Sequence, residues 1–470
     1  MHRSYLRDGP EPVTGDSRIM TKKLFLLALL GGSSIAAPAL AQDAAAEATL
    51  SPEQAAARTA ALEAQVAALQ QQLDTIKKAL PASKPSWKGA PQFEDKEGGW
   101  SFKPRGRIQY DAGWVGRPDG VTDPGLGFSN EARRLRLGAE GSIPGGFGYK
   151  FEVDFADNEV DVTDAILTYS PAKGVGLNFG QHNNYQSLEE LTSSRFSSFI
   201  ERAAFTDAFN FERRVGLSAT YATGDLLLAG GVFTDNISDL ANSGDADHLG
   251  DENNSLSFDG RVVYAPKLGK TQLHFGASAH MRDNGDTDEA GVTTRYRQRP
   301  LVHTTNSRFL ATPALAVEKE TSYGLEAAVI HGPFHAAGEV HWLDADRMDP
   351  APTANFFGGY AEVGYYLTGE TRGYKGGQFD RTKVLNPVGE GGMGALQLNL
   401  RYDMVDLNDD LIRGGKQDGF QASLIWIPQD HVRFMINYAR LNYKDAAIVA
   451  VGGDRDYGID VIGARAQIDF

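Results

Sequence analysis

Residues 460–470, which end the chain, read DVIGARAQIDF, and their alternation decides the fold class. Every even-numbered residue from Ile462 to Phe470 is apolar, whereas the odd-numbered residues include Arg465 and Asp469. Residues of one parity share one face of a β-strand, so this strand has one apolar face and one polar face. A transmembrane β-barrel needs such strands, because a closed barrel pairs its backbone N–H and C=O groups without water. Any half-buried strand alternates in this way, so the prediction depends on the rest of the chain.

The same alternation recurs after residue 100. Between residues 101 and 114, Phe102 and Ile108 have the apolar parity, whereas Lys103 and Arg107 have the polar one. Further segments with this period cover residues 134–140, 149–155, 164–169, 214–221, 258–265, 271–280, 322–330, 334–343, 358–367, 395–404, 419–427 and 431–440. At about 20 to 25 residues per strand and connection, on the order of 16 strands fit after residue 100. We therefore predict an all-β transmembrane barrel of antiparallel strands over residues 100–470.

The connections between these segments differ in length. The connection at 142–146 reads SIPGG and is tight, whereas those at 235–255 and 283–294 are long, polar and acidic. Outer-membrane barrels have short turns at one rim and long loops at the other. After the N-terminal segment, the 470-residue chain has no run of 18 or more apolar residues, which excludes a helical membrane protein. It also has no cysteine, which suits passage through an oxidising periplasm.

The N-terminus predicts export from the cytoplasm. Lys22 and Lys23 precede the apolar stretch 24–30, and Ala39-Leu40-Ala41 is a small-residue cleavage site. We therefore predict a signal peptide at 20–41 and regard residues 1–19 as an upstream extension before the native start. Residues 1–41 carry a net charge of +2, so their removal changes the formal charge from −15 to −17. Such acidity argues against nucleic acid as a partner.

Residues 42–80 have a helical period instead. Apolar residues recur there at spacings of 4, 3, 4, 3 and 4, at Leu62, Val66, Leu69, Leu73, Ile76 and Leu80. This heptad pattern predicts a short coiled-coil helix that joins copies of the chain. We place the helix in the periplasm because it precedes the first strand. One amphipathic helix lying on its own domain is the alternative. Pro81 and Pro85 end the helical pattern, and we interpret residues 81–99 as a linker.

The polar parity of the first two strands is basic. Lys103, Arg105 and Arg107 form rungs about 7 Å apart, and Arg134 and Arg136 add a second row. An anion that sheds water in a narrow channel needs charge-assisted donors, and the guanidinium group can hold two of its oxygens. The pattern therefore indicates an anion pathway. Alternatively, each arginine is a wall residue paired with Asp or Glu on a neighbouring strand.

Five ordered blocks of the sequence carry a resemblance to a known family. They read RRLRLGAEGSIPGGFGYKFEVDFADN (133–158), DAILTYSP (164–171), LEELTSSRFSSFIERA (188–203), GYAEVGYYLTGETRGYKGGQFDR (359–381) and GALQLNLRYDMVDLND (394–409). With these blocks, residues 100–470 resemble the phosphate-selective porin O and P family. The resemblance implies a trimeric, sixteen-stranded channel in outer-membrane lipid and lipopolysaccharide, narrowed by an inward loop. It also implies that the barrel assembly machinery recognises the terminal aromatic residue, Phe470.

The resemblance further assigns individual residues. Basic pore positions of the family fall on Arg107, Arg133 and Arg134, basic loop positions on Arg195 and Arg202, and an acidic position of the narrow zone on Asp164. Arg202 matches the central arginine of the constriction. Glu190 departs from the family, because it stands where a strongly phosphate-binding member has lysine. A carboxylate there repels phosphate, which argues against strict phosphate selectivity.

The remaining clusters predict little chemistry. Arg295, Arg297 and Arg299 repeat every two residues and could line a vestibule, bind lipopolysaccharide phosphates or lie at a solvated loop edge. The sequence contains no catalytic dyad, metal-ligand set or phosphate-binding glycine loop, so we predict neither an enzyme nor a cofactor. We predict an outer-membrane porin for passive diffusion of small anions, with phosphate the first candidate. A porin of the same build for organic acids or neutral nutrients is the alternative.

Overall fold

A computed structural model of the protein describes residues 51–79, 86–95, 97–240, 255–284, 293–348 and 350–470. The upstream extension (1–19) and the signal peptide (20–41) lie outside these residues, so both remain predictions. The chain divides into two compact units, residues 1–80 and 81–470.

In the first unit, the described residues 51–79 form the helix α1 over Pro52–Ala79. Pro52 begins it, at a position where the missing N–H has no helical partner in any case, and Glu53 favours the positive end of the helix dipole. Leu62, Val66 and Leu69 are exposed along its side. The helix agrees with the heptad pattern, while its association with other copies stays a prediction. No helix among the described residues is both long enough and apolar enough to cross a membrane.

The second unit is a barrel, and sixteen long strands can be counted in its described residues. In chain order they are β1 (Trp100–Val115), β2 (Gly127–Ile143), β3 (Phe147–Asp154), β4 (Asp161–Ala172), β5 (Val175–Asn183), β6 (Arg213–Thr223), β7 (Leu226–Phe233), β8 (Leu256–Tyr264), β9 (Thr271–Asp283), β10 (Val317–His331), β11 (Phe334–Arg347), β12 (Ala354–Tyr366), β13 (Ala395–Asp409), β14 (Ile412–Gln429), β15 (Val432–Lys444) and β16 (Tyr457–Asp469). Each strand pairs antiparallel with its chain neighbours. The predicted all-β barrel of about 16 strands is confirmed.

Smaller elements occupy the connections. Three short helices are α2 (Leu188–Leu191), α3 (Ala204–Ala208) and α4 (Ile237–Leu240). Short strands cover Lys267–Leu268, Arg297–Gln298, Leu310–Ala311, Gly373–Lys375 and Gln378–Asp380, and single 3-10 turns cover Ala156–Asn158 and Val451–Gly453.

The stretch that ends the chain closes the barrel. β16 pairs antiparallel with β1 from Val461 to Asp469. Phe470 continues this seam, because its N–H donates to the Gly106 carbonyl at 3.0 Å and its own carbonyl accepts the Gly106 N–H at 3.1 Å. Gly106 leaves room for the terminal ring, since a Cβ there would lie 2.1 Å from the ring Cζ of Phe470. Ile462 and Ile468 are exposed while Asp469 is buried, as the alternation predicts.

Successive connections of this meander alternate between the two rims. On one rim the connections are short, as at 144–146, 173–174 and 332–333, whereas the opposite rim carries 184–212 and the segment around 293–316. We call these the short-turn rim and the long-loop rim. The predicted contrast of lengths fails at 367–394, a long connection on the short-turn rim. This segment turns inward, where it packs on polar groups of the lumen.

Residues 81–99, predicted as a linker, contain structure. Ser86–Lys88 and Ala90–Asp95 form an antiparallel hairpin, and Phe93 on its second strand pairs with Phe102 on β1. The linker prediction is therefore corrected, because this part of the chain extends the barrel sheet. Backbone pairing to an open strand edge supplies the hydrogen bonds that a flexible linker lacks.

Candidate functional site

The inward loop at 184–212, between β5 and β6, forms one side of the site, and we call it the constriction loop. Its two short helices leave backbone N–H groups without helical partners. Glu339 on β11 accepts two of them, from Leu188 at 2.9 Å and from Glu189 at 2.8 Å. Asp403 on β13 accepts the Ala204 N–H at 3.1 Å. Carboxylates of the wall thus fix the loop inside the lumen.

The second inward segment, residues 293–316, comes from the long-loop rim, and we call it the vestibule segment. Tyr296 and Gln298 face the wall, where Tyr296 donates to Glu320 and Gln298 Nε2 lies 2.5 Å from Gln417 Oε1. The opposite parity carries Arg295 and Arg297, and both are exposed. Because the wall holds one parity, the arginines of the other parity point away from it.

The third inward segment is 367–394, which we call the rim insertion. Its short hairpin, Gly373–Lys375 with Gln378–Asp380, brings Arg372 and Phe379 into contact, with Arg372 Cζ 3.7 Å from the ring centroid. Arg381 from the same segment pairs with Asp469 at the end of β16. Loops thus enter the lumen from both rims, and together they leave a much narrower path than sixteen strands alone would enclose.

A cavity of about 200 Å³ lies between the constriction loop and the vestibule segment. Charged side chains of both signs line it: Arg133, Arg202, Arg299, Glu190, Glu201 and Asp207. Phe211, Leu301 and Val302 add an apolar side. The cavity is therefore polar, mixed in charge and large enough for several water molecules or a small solute.

Two of the three arginines that line the cavity, Arg133 and Arg202, are paired with carboxylates, whereas the guanidinium group of Arg299 donates to the Thr305 carbonyl and to Asn306. Arg202 Nη1 lies 2.9 Å from Glu190 Oε2, and its Nη2 donates to the Glu190 carbonyl at 2.9 Å. Arg133 Nε lies 3.0 Å from Glu201 Oε1. Burial raises the pKa of Glu190, an effect that Arg202 only partly offsets. Burial also favours a higher pKa for Glu201, but Arg133 and Arg465 outweigh this effect and hold the pKa of Glu201 well below its usual range.

The predicted ladder on β1 and β2 lies inside the lumen, and its arginines Arg105, Arg107 and Arg136 contact carboxylates. Arg107 Nη1 donates to Ser194 of the constriction loop at 2.6 Å, and its Nη2 lies 3.8 Å from Glu152. Arg136 contacts Glu152 at 3.1 Å and Asp154 at 2.7 Å. Carboxylates on β3 thus face both Arg107 and Arg136, as the alternative of paired wall residues expects, and the anion pathway stays a prediction.

The other predicted site residues are divided between the middle of the lumen and the short-turn rim. Arg134 Nη1 donates to Gln109 at 2.8 Å, and Asp164 accepts from Arg213 Nε at 3.1 Å and lies 2.7 Å from Lys150 Nζ. Toward the short-turn rim, Lys103 is close in sequence to Arg105, which pairs with Glu140, and Arg195 Nη1 lies 3.5 Å from Asp469. Of the predicted set, the structure brings only Arg133 and Arg202 into the cavity itself.

Several charged residues of the lumen were missed by the sequence reasoning. Glu339, Glu362 and Arg401 lie on strands that the alternation had identified, on the polar parity of each. Their parity indicated that they face the lumen. It could not predict which residues of the inward segments they contact. Arg372 lies on the rim insertion, where no strand period exists. Within the described ranges, no group of three or more His, Asp and Glu side chains is arranged to hold a metal ion.

A closed barrel with a polar lumen, narrowed by inward segments, defines a porin, a passive channel of the outer membrane. Residues 102–470 match the family described as phosphate-selective porin O and P, and the chain belongs to this family. The resemblance on the five sequence blocks is thereby confirmed. The family and the fold indicate an outer-membrane channel rather than an enzyme.

Relatives of this chain include a porin of known name. An uncharacterised protein of Caulobacter vibrioides is 48% identical over 95% of this chain and 96% of its own length. Porin O of Pseudomonas aeruginosa is 28% identical over 77% of this chain and 86% of its own length. Among solved structures, an anion-selective porin from Comamonas acidovorans is 15% identical, with a TM-score of 0.49, over 79% of this chain and 100% of its own length.

Proposed function

We propose that this porin passes small anions by passive diffusion and that the vestibule segment supplies the anion preference. One observation carries the proposal. The vestibule segment holds Arg295, Arg297, Arg299 and Arg308 but neither Asp nor Glu between residues 293 and 316. Positive charge at a channel mouth raises the local concentration of anions. The constriction, where arginines meet carboxylates, discriminates less.

Inorganic phosphate is the first solute that we propose, passing without tight binding. The guanidinium group of Arg202 already donates to three carbonyl groups and contacts the Glu190 carboxylate. A phosphate in the cavity would also face Glu190 and Glu201. The mixed charge and the apolar side of the cavity favour a second candidate, a porin for organic acids or neutral nutrients. Conductance with phosphate titrated against chloride distinguishes the two, because only a phosphate pathway continues to carry anion current as phosphate replaces chloride.

Neutralising the vestibule arginines is expected to weaken the anion preference. In the variant Arg295→Gln with Arg297→Gln, the reversal potential in asymmetric KCl should move toward zero. The shift should be larger in dilute salt, because the screening length is about 30 Å at 0.01 M and about 3 Å at 1 M. Arg440→Gln is the control, since Arg440 is exposed on β15 with the outward parity. A cation-preferring wild-type channel, or equal shifts in both variants, would contradict the proposal.

We further propose that the porin forms a homotrimer in outer-membrane lipid and lipopolysaccharide, with its helix in the periplasm. The exposed side chains of Leu62, Val66 and Leu69 on α1 support an association of helices. The exposed apolar parity of the strands, as at Phe258 and Leu217, supports contact with lipid.

Phe470 is the residue that we propose the barrel assembly machinery recognises. Deleting it should reduce the amount of folded, heat-modifiable barrel in outer-membrane fractions, because the closing strand loses its last pair with Gly106. Channels that do insert should keep the wild-type reversal potential, since Phe470 has the outward parity. A normal yield of folded barrel would refute this role.

A further inference from the structure

Glu362 on β12 is a buried carboxylate that faces the lumen, with 3% of its side chain exposed. Its two oxygens are held by different arginines. Oε1 accepts from Arg372 Nη1 at 3.1 Å, whereas Oε2 accepts from Arg401 Nη2 at 2.6 Å and from its Nε at 3.2 Å. The two arginines belong to different parts of the molecule, since Arg372 lies on the rim insertion and Arg401 on β13. Glu362 therefore joins the rim insertion to the wall.

A third partner of Glu362 comes from the constriction loop. Ser198 Oγ donates to Glu362 Oε1 at 2.8 Å and accepts from Arg372 Nη1 at 2.5 Å. Ser198, Arg372 and Glu362 thus form a closed triangle of hydrogen bonds. One carboxylate oxygen contacts the loop that enters from the long-loop rim and the segment that enters from the short-turn rim.

The same network reaches the first helix of the constriction loop. Arg401 Nη2 contacts Glu189 as well as Glu362, and its Cζ lies 4.4 Å from the ring centroid of Phe199. Glu189 Oε2 accepts the Ala203 N–H at 2.9 Å, which ties the start of the loop to its later part. The buried carboxylates of Glu189 and Glu362 therefore balance the charges of the buried Arg372 and Arg401. Removing any one of these four side chains leaves a buried charge without its partner.

A second contact links the two inward segments. The Phe379 N–H of the rim insertion donates to Thr192 Oγ1 of the constriction loop at 3.3 Å. The Arg372 guanidinium lies over the Phe379 ring, so the same arginine orders both sides of this contact. Ser198 and Thr192 thus join the two segments through their side chains, and Phe196 of the loop adds a carbonyl that accepts from Arg372 Nη2 at 3.4 Å and a ring 5.1 Å from Arg381 Cζ.

We propose that Glu362 is a positioning residue that couples the constriction loop to the rim insertion and so sets the aperture of the channel from both rims. The same hydrogen bonds hold the rim insertion and the constriction loop, so a movement of one segment breaks bonds that hold the other. A solute or protein that displaces the rim insertion at the short-turn rim then widens the constriction. The coupling holds for whichever solute the channel passes, so it stands independently of the anion preference.

The absence of cysteine from the sequence permits a direct test of the coupling. A thiol introduced as Lys375→Cys, at an exposed position of the rim insertion, is unique in the chain and can carry a spin label. Ser198→Ala changes only the constriction loop and keeps every charge. We expect it to shift the label at residue 375 from the immobile to the mobile spectral component, and Glu362→Gln to produce the same shift. An unchanged spectrum in Ser198→Ala overturns the coupling.

Single-channel recording tests the consequence for the aperture. Glu362→Gln should raise the open-channel conductance and its current noise, because both inward segments loosen. Glu140→Gln is the matched control, since it removes the carboxylate of another lumen ion pair, that of Glu140 on β2 with Arg105 on β1. It should alter selectivity without added noise. Equal conductance and noise in the two variants would overturn the proposal. If Glu362→Gln yields no folded barrel, Ser198→Ala and Thr192→Ala provide the same recordings and the same decision.

Discussion

Replacing Arg202 with alanine is expected to turn the constriction against anions. Arg202 and Glu190 both line the cavity, and removing the arginine leaves the carboxylate there without its partner. Two unit charges about 4 Å apart interact by about 4 kcal/mol at an effective dielectric of about 20. Since about 1.4 kcal/mol is a factor of ten, we expect the chloride-to-potassium permeability ratio to fall by about tenfold or more. Reversal potentials in asymmetric KCl measure this ratio, at alkaline pH because burial raises the pKa of Glu190 and the loss of Arg202 raises it further.

The double variant Arg202→Ala with Glu190→Gln separates charge from shape. It enlarges the cavity as the single variant does but removes the uncompensated carboxylate, so most of the anion permeability should return. Arg295→Ala provides a comparison, because Arg295 is exposed at the vestibule and is screened by salt. An effect of Arg202→Ala no larger than that of Arg295→Ala would show that the constriction lies elsewhere.

The strands could be predicted because lipid and lumen impose opposite demands on alternate residues. In β13, Leu398 and Leu400 are exposed while Asn399 and Arg401 are buried. Whether each of these residues is exposed or buried follows from its parity alone, without knowledge of its neighbours in space. Local alternation therefore decides the fold class and the approximate strand count, since both depend on contacts with solvent rather than on specific partners.

Arg133 and Arg134 show where parity fails. Adjacent residues of a regular strand face opposite sides, so alternation would place one of these arginines in lipid. In the structure the register shifts between Gln109 and Tyr110, and Arg133 is the extra residue on β2. Such a bulge lets both arginines reach the lumen, where they contact Glu201 and Gln109. The sequence identifies the pair but not the bulge.

The inward segments could not be predicted, because their anchors are distant in sequence. Glu339 accepts N–H groups from residues about 150 positions earlier, and Asp403 accepts one from Ala204. A single sequence carries no period for such contacts. The rim insertion shows this most clearly, since its length at the short-turn rim contradicted the expected contrast of rims. Charge pairing across the lumen, which decides how strongly the pore selects, depends on these segments.

Arg465, in the stretch that closes the barrel, is expected to be the most costly arginine to remove. Its side chain is completely buried, and it donates to both oxygens of Asp111 on β1, at 2.7 and 2.6 Å. It also contacts Glu201 at 3.0 Å and donates to the Ile200 carbonyl at 2.7 Å, so it joins the seam to the constriction loop. Arg465→Ala leaves two carboxylates without this partner.

Breaking a buried ion pair by removing one partner costs about 3 to 5 kcal/mol, because the remaining charge is uncompensated. Arg465→Ala should therefore lower the temperature at which the folded band disappears in heat-modifiability gels by many degrees. Arg440→Ala is the control, because its pair with Asp460 spans the neighbouring strands β15 and β16 but is half exposed, and such pairs contribute about 0 to 1 kcal/mol. Arg465→Lys should fall between the two, since an ammonium group keeps the charge but loses the bidentate contact with Asp111. Equal unfolding temperatures for Arg465→Ala and Arg440→Ala would mean that backbone pairing alone holds the seam, and that the polar parity of residues 460–470 serves the lumen without stabilising the barrel.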